Sequence, residues 1–227
     1  MKMMKILSVM AVVALAGGFG RAATYNDVTG DFTGNSDLDL TSVVVAKDGN
    51  NLTFTINVAG NPTDQTWYNY YVGISENLFS GVGGNVDATG GWGKNIQMST
   101  GGLDFFVGSW GTGASLLAWA PSSWTTTGAS ATENSSSVTI TLGLSALGLA
   151  PGNSFNFDVW TSDSGGDTVL DTLSDSTVRT WNSNPFDTGA NAPTYTVAAA
   201  PEPGTCVLLG MGVLGLTRRL WSNQRKN

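Results

Sequence analysis

Leu52-Thr53-Phe54-Thr55-Ile56-Asn57-Val58 alternates a large apolar side chain with a polar one at every step. Successive residues of a β-strand point to opposite faces. This pattern therefore puts Leu52, Phe54, Ile56 and Val58 on one face and Thr53, Thr55 and Asn57 on the other. An amphipathic helix would need apolar residues three and four positions apart instead. Just upstream, Lys47-Asp48-Gly49-Asn50-Asn51 carries turn chemistry, and Asp39 to Ala46 before it is rich in Val and Thr. The spacing predicts a hairpin with one buried face. Further strands are expected at Tyr68 to Ser75, Leu103 to Trp110 and Leu116 to Ala120. Others are expected around Val138, Ile140 and Leu142, around Phe155, Phe157 and Val159, and finally around Tyr195 to Val197. Clusters of Gly, Asn, Ser and Asp separate these runs. Leu144 to Leu149 has room for one short helical turn before Pro151-Gly152, and no longer segment of helical period lies between the strands. The expectation is an all-β fold, a β-sandwich or jelly roll.

The two ends of the 227-residue chain read differently. Lys2 and Lys5 precede an apolar run from Ile6 to Ala16, and Gly17 to Ala23 is rich in small residues. These are the parts of a secretory signal peptide, and cleavage after Ala22 would place Gly20 and Ala22 at the two small-residue positions. An uncleaved anchor is the alternative, but the apolar run is shorter than the ~20 residues of a stable span. The chain is thus divided into a signal peptide at 1–22, a β-sandwich domain at 23–197 and a tail at 198–227.

Charge follows the same division. Of the 10 basic residues only Lys47, Lys94 and Arg179 lie in the domain, against 16 of the 17 acidic ones, a net charge of −13. Such a surface repels phosphate backbones, which excludes nucleic acid as a partner. The sequence has no histidine, so Ser-His-Asp and Cys-His catalysis, histidine metal ligation and histidine pH switching are all excluded. The single cysteine, Cys206, lies in the tail. The domain therefore has no disulfide and must be held by its core, which roughly 175 residues suffice to build.

Two kinds of side chain in the domain, carboxylates and aromatics, bear on chemistry. Asp27, Asp31, Asp37 and Asp39 are interleaved with Gly30, Gly34, Asn35 and Ser36. Carboxylates on a turn-rich backbone suit Ca²⁺, which takes six to eight oxygens; a solvated turn with Asx caps is the plainer reading. No other cofactor is required. Asp163, Asp167, Asp171 and Asp175 form a second acidic run, equally explained by a loop entering a strand. The aromatics come next. Trp67, Tyr68, Tyr70 and Tyr71 sit together, and strand geometry sends Tyr68 and Tyr70 to one face and Tyr71 to the other, so at most about half of this set can be core. Tryptophan in a sandwich is more often core than ligand platform. Trp67 and Trp92, flanked by Gly or polar residues, are the candidates for exposed sugar-stacking surfaces. No two of the sixteen acids, Glu76 and Glu133 included, stand out as a glycosidase pair, so no catalytic residue is assigned. The string Gly210-Met211-Gly212-Val213-Leu214-Gly215 matches a dinucleotide fingerprint only in letters, because the acidic residue expected some twenty positions on has no room to follow.

The tail begins Pro201-Glu202-Pro203-Gly204-Thr205, continues through an apolar run from Cys206 to Thr217 and meets Arg218-Arg219. Twelve residues of helix span roughly 18 Å, short of a ~30 Å hydrocarbon core. Snorkelling arginines and the interfacial Leu220-Trp221 lengthen the effective span, and basic residues stay cytoplasmic. A docked core helix with a basic tip is the alternative. Together these three parts resemble the PEP-CTERM sorting signal of Gram-negative bacteria. The resemblance implies a short transmembrane sorting helix, recognition by an exosortase-type membrane enzyme, processing near Pro201-Glu202-Pro203, and delivery to the cell surface or the exopolysaccharide matrix. The domain resembles family 9-like carbohydrate-binding modules and DOMON-type sandwiches. The resemblance rests on Asp27, Gly30-Asp31, Asp37-Leu38-Asp39-Leu40, the Leu52 to Ile56 strand and Gly91-Trp92-Gly93. It implies a sandwich and a polysaccharide partner. The expected function is that of an exported, non-enzymatic surface or matrix protein. A purely structural surface protein and a glycoside hydrolase are the alternatives.

Overall fold

The computed structural model describes residues 22–76, 96–98, 102–111, 113–120, 123–163, 169–177, 186–187 and 191–199. The signal-peptide residues before Ala22, together with Trp92, Asp167, Pro201 to Thr205, Arg218 and Arg219, lie outside the described residues. The strands run in chain order as β1 (Ala23–Asn26), β2 (Leu40–Asp48), β3 (Asn51–Val58), β4 (Asn69–Ser75), β5 (Ile96–Gln97), β6 (Phe105–Trp110) and β7 (Gly113–Ala120). They continue as β8 (Ser123–Gly128), β9 (Ser130–Glu133), β10 (Ser137–Gly143), β11 (Ser154–Ser162), β12 (Asp171–Thr172), β13 (Phe186–Asp187) and β14 (Thr194–Thr196). Among the described residues the helical pieces are short 3-10 turns, including Ser36–Leu38 and Leu144–Ala146, the second within the stretch where one turn is expected. None is long and apolar enough to cross a membrane.

The hairpin of the opening stretch is β2 and β3. Asp48 pairs with Asn51, leaving Gly49-Asn50 as a two-residue loop. Gly49 takes φ +58°, the left-handed conformation that primed hairpin turns require and that glycine adopts without a Cβ penalty. Leu52, Phe54, Ile56 and Val58 are buried. On the opposite face Thr55 meets Thr139 through their hydroxyls at 3.3 Å, and Asn57 Nδ2 donates to Ser42 Oγ at 3.0 Å.

Two antiparallel sheets result. One has the order β1-β2-β3-β10-β9. The other runs β12-β11-β4-β6-β7-β8, with β14 also on β11, and β5 and β13 form a small parallel pair. The chain changes sheet between β8 and β9 across the short link at Ala129, so one continuous segment closes one edge of the layers. A single apolar cluster is shared by both sheets, a sandwich-like arrangement. Phe54 of the first sheet packs edge-on against Phe157 of the second, centroids 5.5 Å apart.

One expectation about the core is overturned. Tyr68 and Tyr70 do face the shared core, but Tyr71 on the other face is buried as well, at 3% exposure. The reason is a second apolar layer on the outer face of the larger sheet. Tyr71 stacks on Phe106 at 5.2 Å, and Ile96, Met98, Leu103, Leu117, Trp160 and Val169 complete the layer. Strand alternation predicts two faces but does not say that segments from elsewhere cover the second. β1, β5, β8, β9, β12 and β13 are not among the strands the sequence predicts: β8 and β9 carry no clear apolar alternation, and β5, β12 and β13 are two residues long.

Candidate functional site

The acidic loop after β1 is organised by its own backbone. Asp27 N–H donates to Thr41 O at 3.0 Å and extends the β1–β2 ladder by one residue. Asn35 caps the 3-10 turn at Ser36–Leu38, its side chain accepting from Asp37 N–H at 2.9 Å. Asp37 then accepts from Asn61 N–H at 2.8 Å and from the Tyr68 hydroxyl at 2.9 Å. Asp39 accepts from Gly30 N–H on both oxygens, at 3.0 and 2.9 Å. Both carboxylates are thus occupied in holding the loop in shape.

The four aspartates expected together as calcium ligands do not converge. Asp27 and Asp31 come together, and the third member is Asp171 on β12. Oxygens of these three all lie within 4.8 Å of one another. Asp31 and Asp171 are almost fully buried, at 2% and 1% exposure. Asp171 is positioned by backbone donors: Leu40 N–H reaches Oδ2 at 2.5 Å and Thr172 N–H reaches Oδ1 at 2.8 Å. Asp27 Oδ1 accepts from Val28 N–H at 2.9 Å, while its Oδ2 is buried without a partner. Neither oxygen of Asp31 has a hydrogen-bond partner.

Burial and mutual repulsion leave these carboxyls poor acids. Burial pushes Asp27 up to about 7, with further contributions from Asp31, Asp158 and Asp39. Burial raises Asp31 to about 6, helped by Asp39 and Asp175 and offset in part by the nearby N–H groups of Asp31 and Phe32. Asp171 rises to about 8, mainly by burial and then by Asp27 and Asp31, against the pull of the Leu40 N–H. Three carboxyls so placed can share protons or jointly hold a hard cation.

A second acidic pair lies at the far end of β4. Glu76 N–H donates to Asp104 Oδ2 at 2.6 Å, and Asp104 is fully buried. Burial lifts Glu76 to about 8, with Asp104 adding to the rise.

The exposed aromatics gather near the aspartate end. Trp67 is 36% exposed, lies edge-on to Tyr68 at 4.5 Å and donates from Nε1 to Gln65 Oε1 at 3.0 Å. Trp110 is 40% exposed and pairs across the ladder with Asn69, two residues from Trp67. Trp160, by contrast, is fully buried in the outer layer. In the sequence Asp171 is visible only within a regular acidic run and Trp110 only among scattered tryptophans. Nothing in local spacing shows that β12 lies beside the loop after β1, because that neighbourhood is created by the stacking of two sheets.

Comparison with models of known protein families gives no match, and comparison with curated proteins gives none either.

Proposed function

We propose that this chain is an exported, surface- or matrix-associated, non-enzymatic protein, sorted through its C-terminal signal and contacting polysaccharide through exposed tryptophan at one end of a β-sandwich domain. The sorting part is supported by the sequence at the two ends: a lysine-led apolar leader, and Pro201-Glu202-Pro203-Gly204-Thr205 with its apolar run and Arg218-Arg219. The sugar part rests on one observation, the placement of Trp67 and Trp110, both over a third exposed, beside the amides of Gln65 and Asn69. Sugar rings present C–H faces that pack on aromatic planes, and amides bond their hydroxyls. Affinity electrophoresis in gels containing acidic and neutral polysaccharides tests it. Retardation that disappears in Trp67→Ala is the expected result; retardation unchanged in Trp67→Ala, Trp92→Ala and Trp110→Ala refutes the sugar contact. For sorting, replacing Pro201, Glu202 and Pro203 by alanine should leave the chain in the membrane fraction. Unaltered surface delivery would count against it.

A second reading has an observation of its own. Among the described residues, the outer face of the larger sheet carries a buried apolar layer built on Tyr71, Phe106, Leu117 and Trp160. That favours a structural surface protein with no small ligand. Saturable, stoichiometric binding of any glycan decides between the two.

A further inference from the structure

Two independent observations meet at the loop after β1. The first is the convergence of three carboxylates from distant parts of the chain, Asp27, Asp31 and Asp171. The second is Asp31 itself: at 2% exposure, both its oxygens are sealed from solvent and lack a hydrogen-bond partner. Buried polar atoms are nearly always satisfied, and an unsatisfied charge is far costlier than an unsatisfied neutral group. No basic side chain among the described residues resolves this. Among the described residues Lys47 is the single basic side chain, and it lies at the opposite end of β2 from Leu40, whose N–H holds Asp171.

We propose that Asp27, Asp31 and Asp171 bind a divalent cation of calcium's size, which fastens the loop after β1 to β12 and so ties one sheet to the other. The donors are all carboxylate oxygens, with no histidine or thiol, which selects a hard ion over a transition metal. Oxygens within 4.8 Å of one another fit on a sphere of the ~2.3–2.6 Å radius at which calcium takes its ligands. The unpartnered atoms are those a cation needs: Asp27 Oδ2 and both oxygens of Asp31. The backbone donors to Asp171 fix its orientation while leaving each oxygen a second lone pair. Asp27 follows a strand of the five-stranded sheet and Asp171 lies in a strand of the larger one, so the ion bridges layers. The assignment rests on this cluster alone and holds whether or not the chain meets a glycan.

The test is thermal unfolding of the full-length chain, stripped with chelator and then titrated with CaCl₂ or MgCl₂, alongside calorimetric titration. At an affinity typical of extracellular sites, 10 mM Ca²⁺ should raise the melting temperature by about 5–10 °C, and Mg²⁺ by much less. Asp31→Asn should remove the calcium response and, in chelator, should melt higher than the parent because one repelling charge is gone. Asp27→Asn gives a second reading should Asp31→Asn fold poorly, and Asp48→Asn, an exposed charge-matched change in the hairpin turn, should keep the full response. No calcium-dependent shift in the parent chain overturns the proposal. So does a shift that survives in both Asp31→Asn and Asp27→Asn, and equal responses to Mg²⁺ and Ca²⁺ overturn the choice of ion.

Discussion

Replacing Gly73 by alanine would set a methyl carbon 2.5 Å from Leu103 Cδ2 and 2.5 Å from Trp160 Cη2, with Trp160 Cζ3 at 2.6 Å. Carbon atoms pack best at about 3.5–4.0 Å, so each contact overlaps by about 1 Å. Gly73 lies in β4, bonded to β6 on one side and β11 on the other, so its backbone has little freedom to retreat. Trp160 is fully buried and lies edge-on to Phe106 at 6.3 Å, so its ring cannot swing into solvent. Overpacking of this kind costs about 1–3 kcal/mol, sometimes more. Alanine also narrows the unfolded ensemble, which offsets about 0.4–1 kcal/mol. The net expectation is a loss of about 1–2 kcal/mol, which for a domain of this size lowers the melting temperature by about 2–8 °C. Gly128→Ala in β8 is the matched control, because a Cβ there meets no atom within 4 Å. Differential scanning calorimetry of both variants reads the difference directly. Gly73→Ala melting at or above the parent, or Gly128→Ala falling as far, would show that the outer layer is not packed on β4 as described.

Phe54→Ala removes an aromatic that touches Phe155 and Phe157 across the layers, and should cost about 3–5 kcal/mol in urea unfolding, whereas Thr55→Ala on the outward face should cost less than about 1 kcal/mol. Trp67→Ala should cost no more than about 1.5 kcal/mol, the worth of its edge-on contact with Tyr68, and a larger loss would place it in the core instead. The pH dependence of the chelated chain has a definite sign. Asp27, Asp31, Asp171 and Glu76 hold their protons to about 7, 6, 8 and 8 when folded, against 3.8 for aspartate and 4.5 for glutamate otherwise, and the groups facing them, Asp39, Asp158, Asp175 and Asp104, are also acidic. The folded chain therefore binds more protons than the unfolded one between these limits, and stability should fall as pH rises from about 5 to 8. A urea midpoint that is flat or rises over that range refutes the burial of these acids.

What the sequence shows and what it hides separate along physical lines. The hairpin is legible because Leu52 to Val58 alternates strictly and Gly49 sits where a two-residue turn needs it. The strands around Val138 and Phe155 are legible for the same reason. β8 is hidden because Ser123 to Gly128 has Trp124 as its single large apolar residue among Ser, Thr and Gly, so no alternation marks a face as apolar. The burial of Tyr71 is hidden because it depends on Ile96, Met98 and Val169 returning over the sheet from other parts of the chain. In the site, Asp27 and Asp31 are visible as an acidic loop, but Asp37 and Asp39 look identical to them in sequence and differ only in the donors they meet. Asp171 joins through stacking of the two sheets, a relation that residue spacing does not encode.

The ladder registers also fix which features share a pole. Ala22 to Tyr25 and Tyr195 to Thr196 line one open cleft, and Val197 bonds Gly152 and Asn153 beside them, so the strands are entered and left at one pole. β11, nine residues long, runs from there to Ser162, which pairs with Asn69, while Thr161 pairs with Asp171. That is about 30 Å of extended chain. The aspartate cluster, Trp67 and Trp110 belong to the distal pole. Any tether pulling on the sequence beyond Val197 loads the near pole first, at a three-residue strand paired with β11 and tied to β1 by the Tyr25 hydroxyl on Thr194 O. The aspartate cluster and the exposed tryptophans would then stay intact under tension, reaching outward while the short strand β14 acts as the release point.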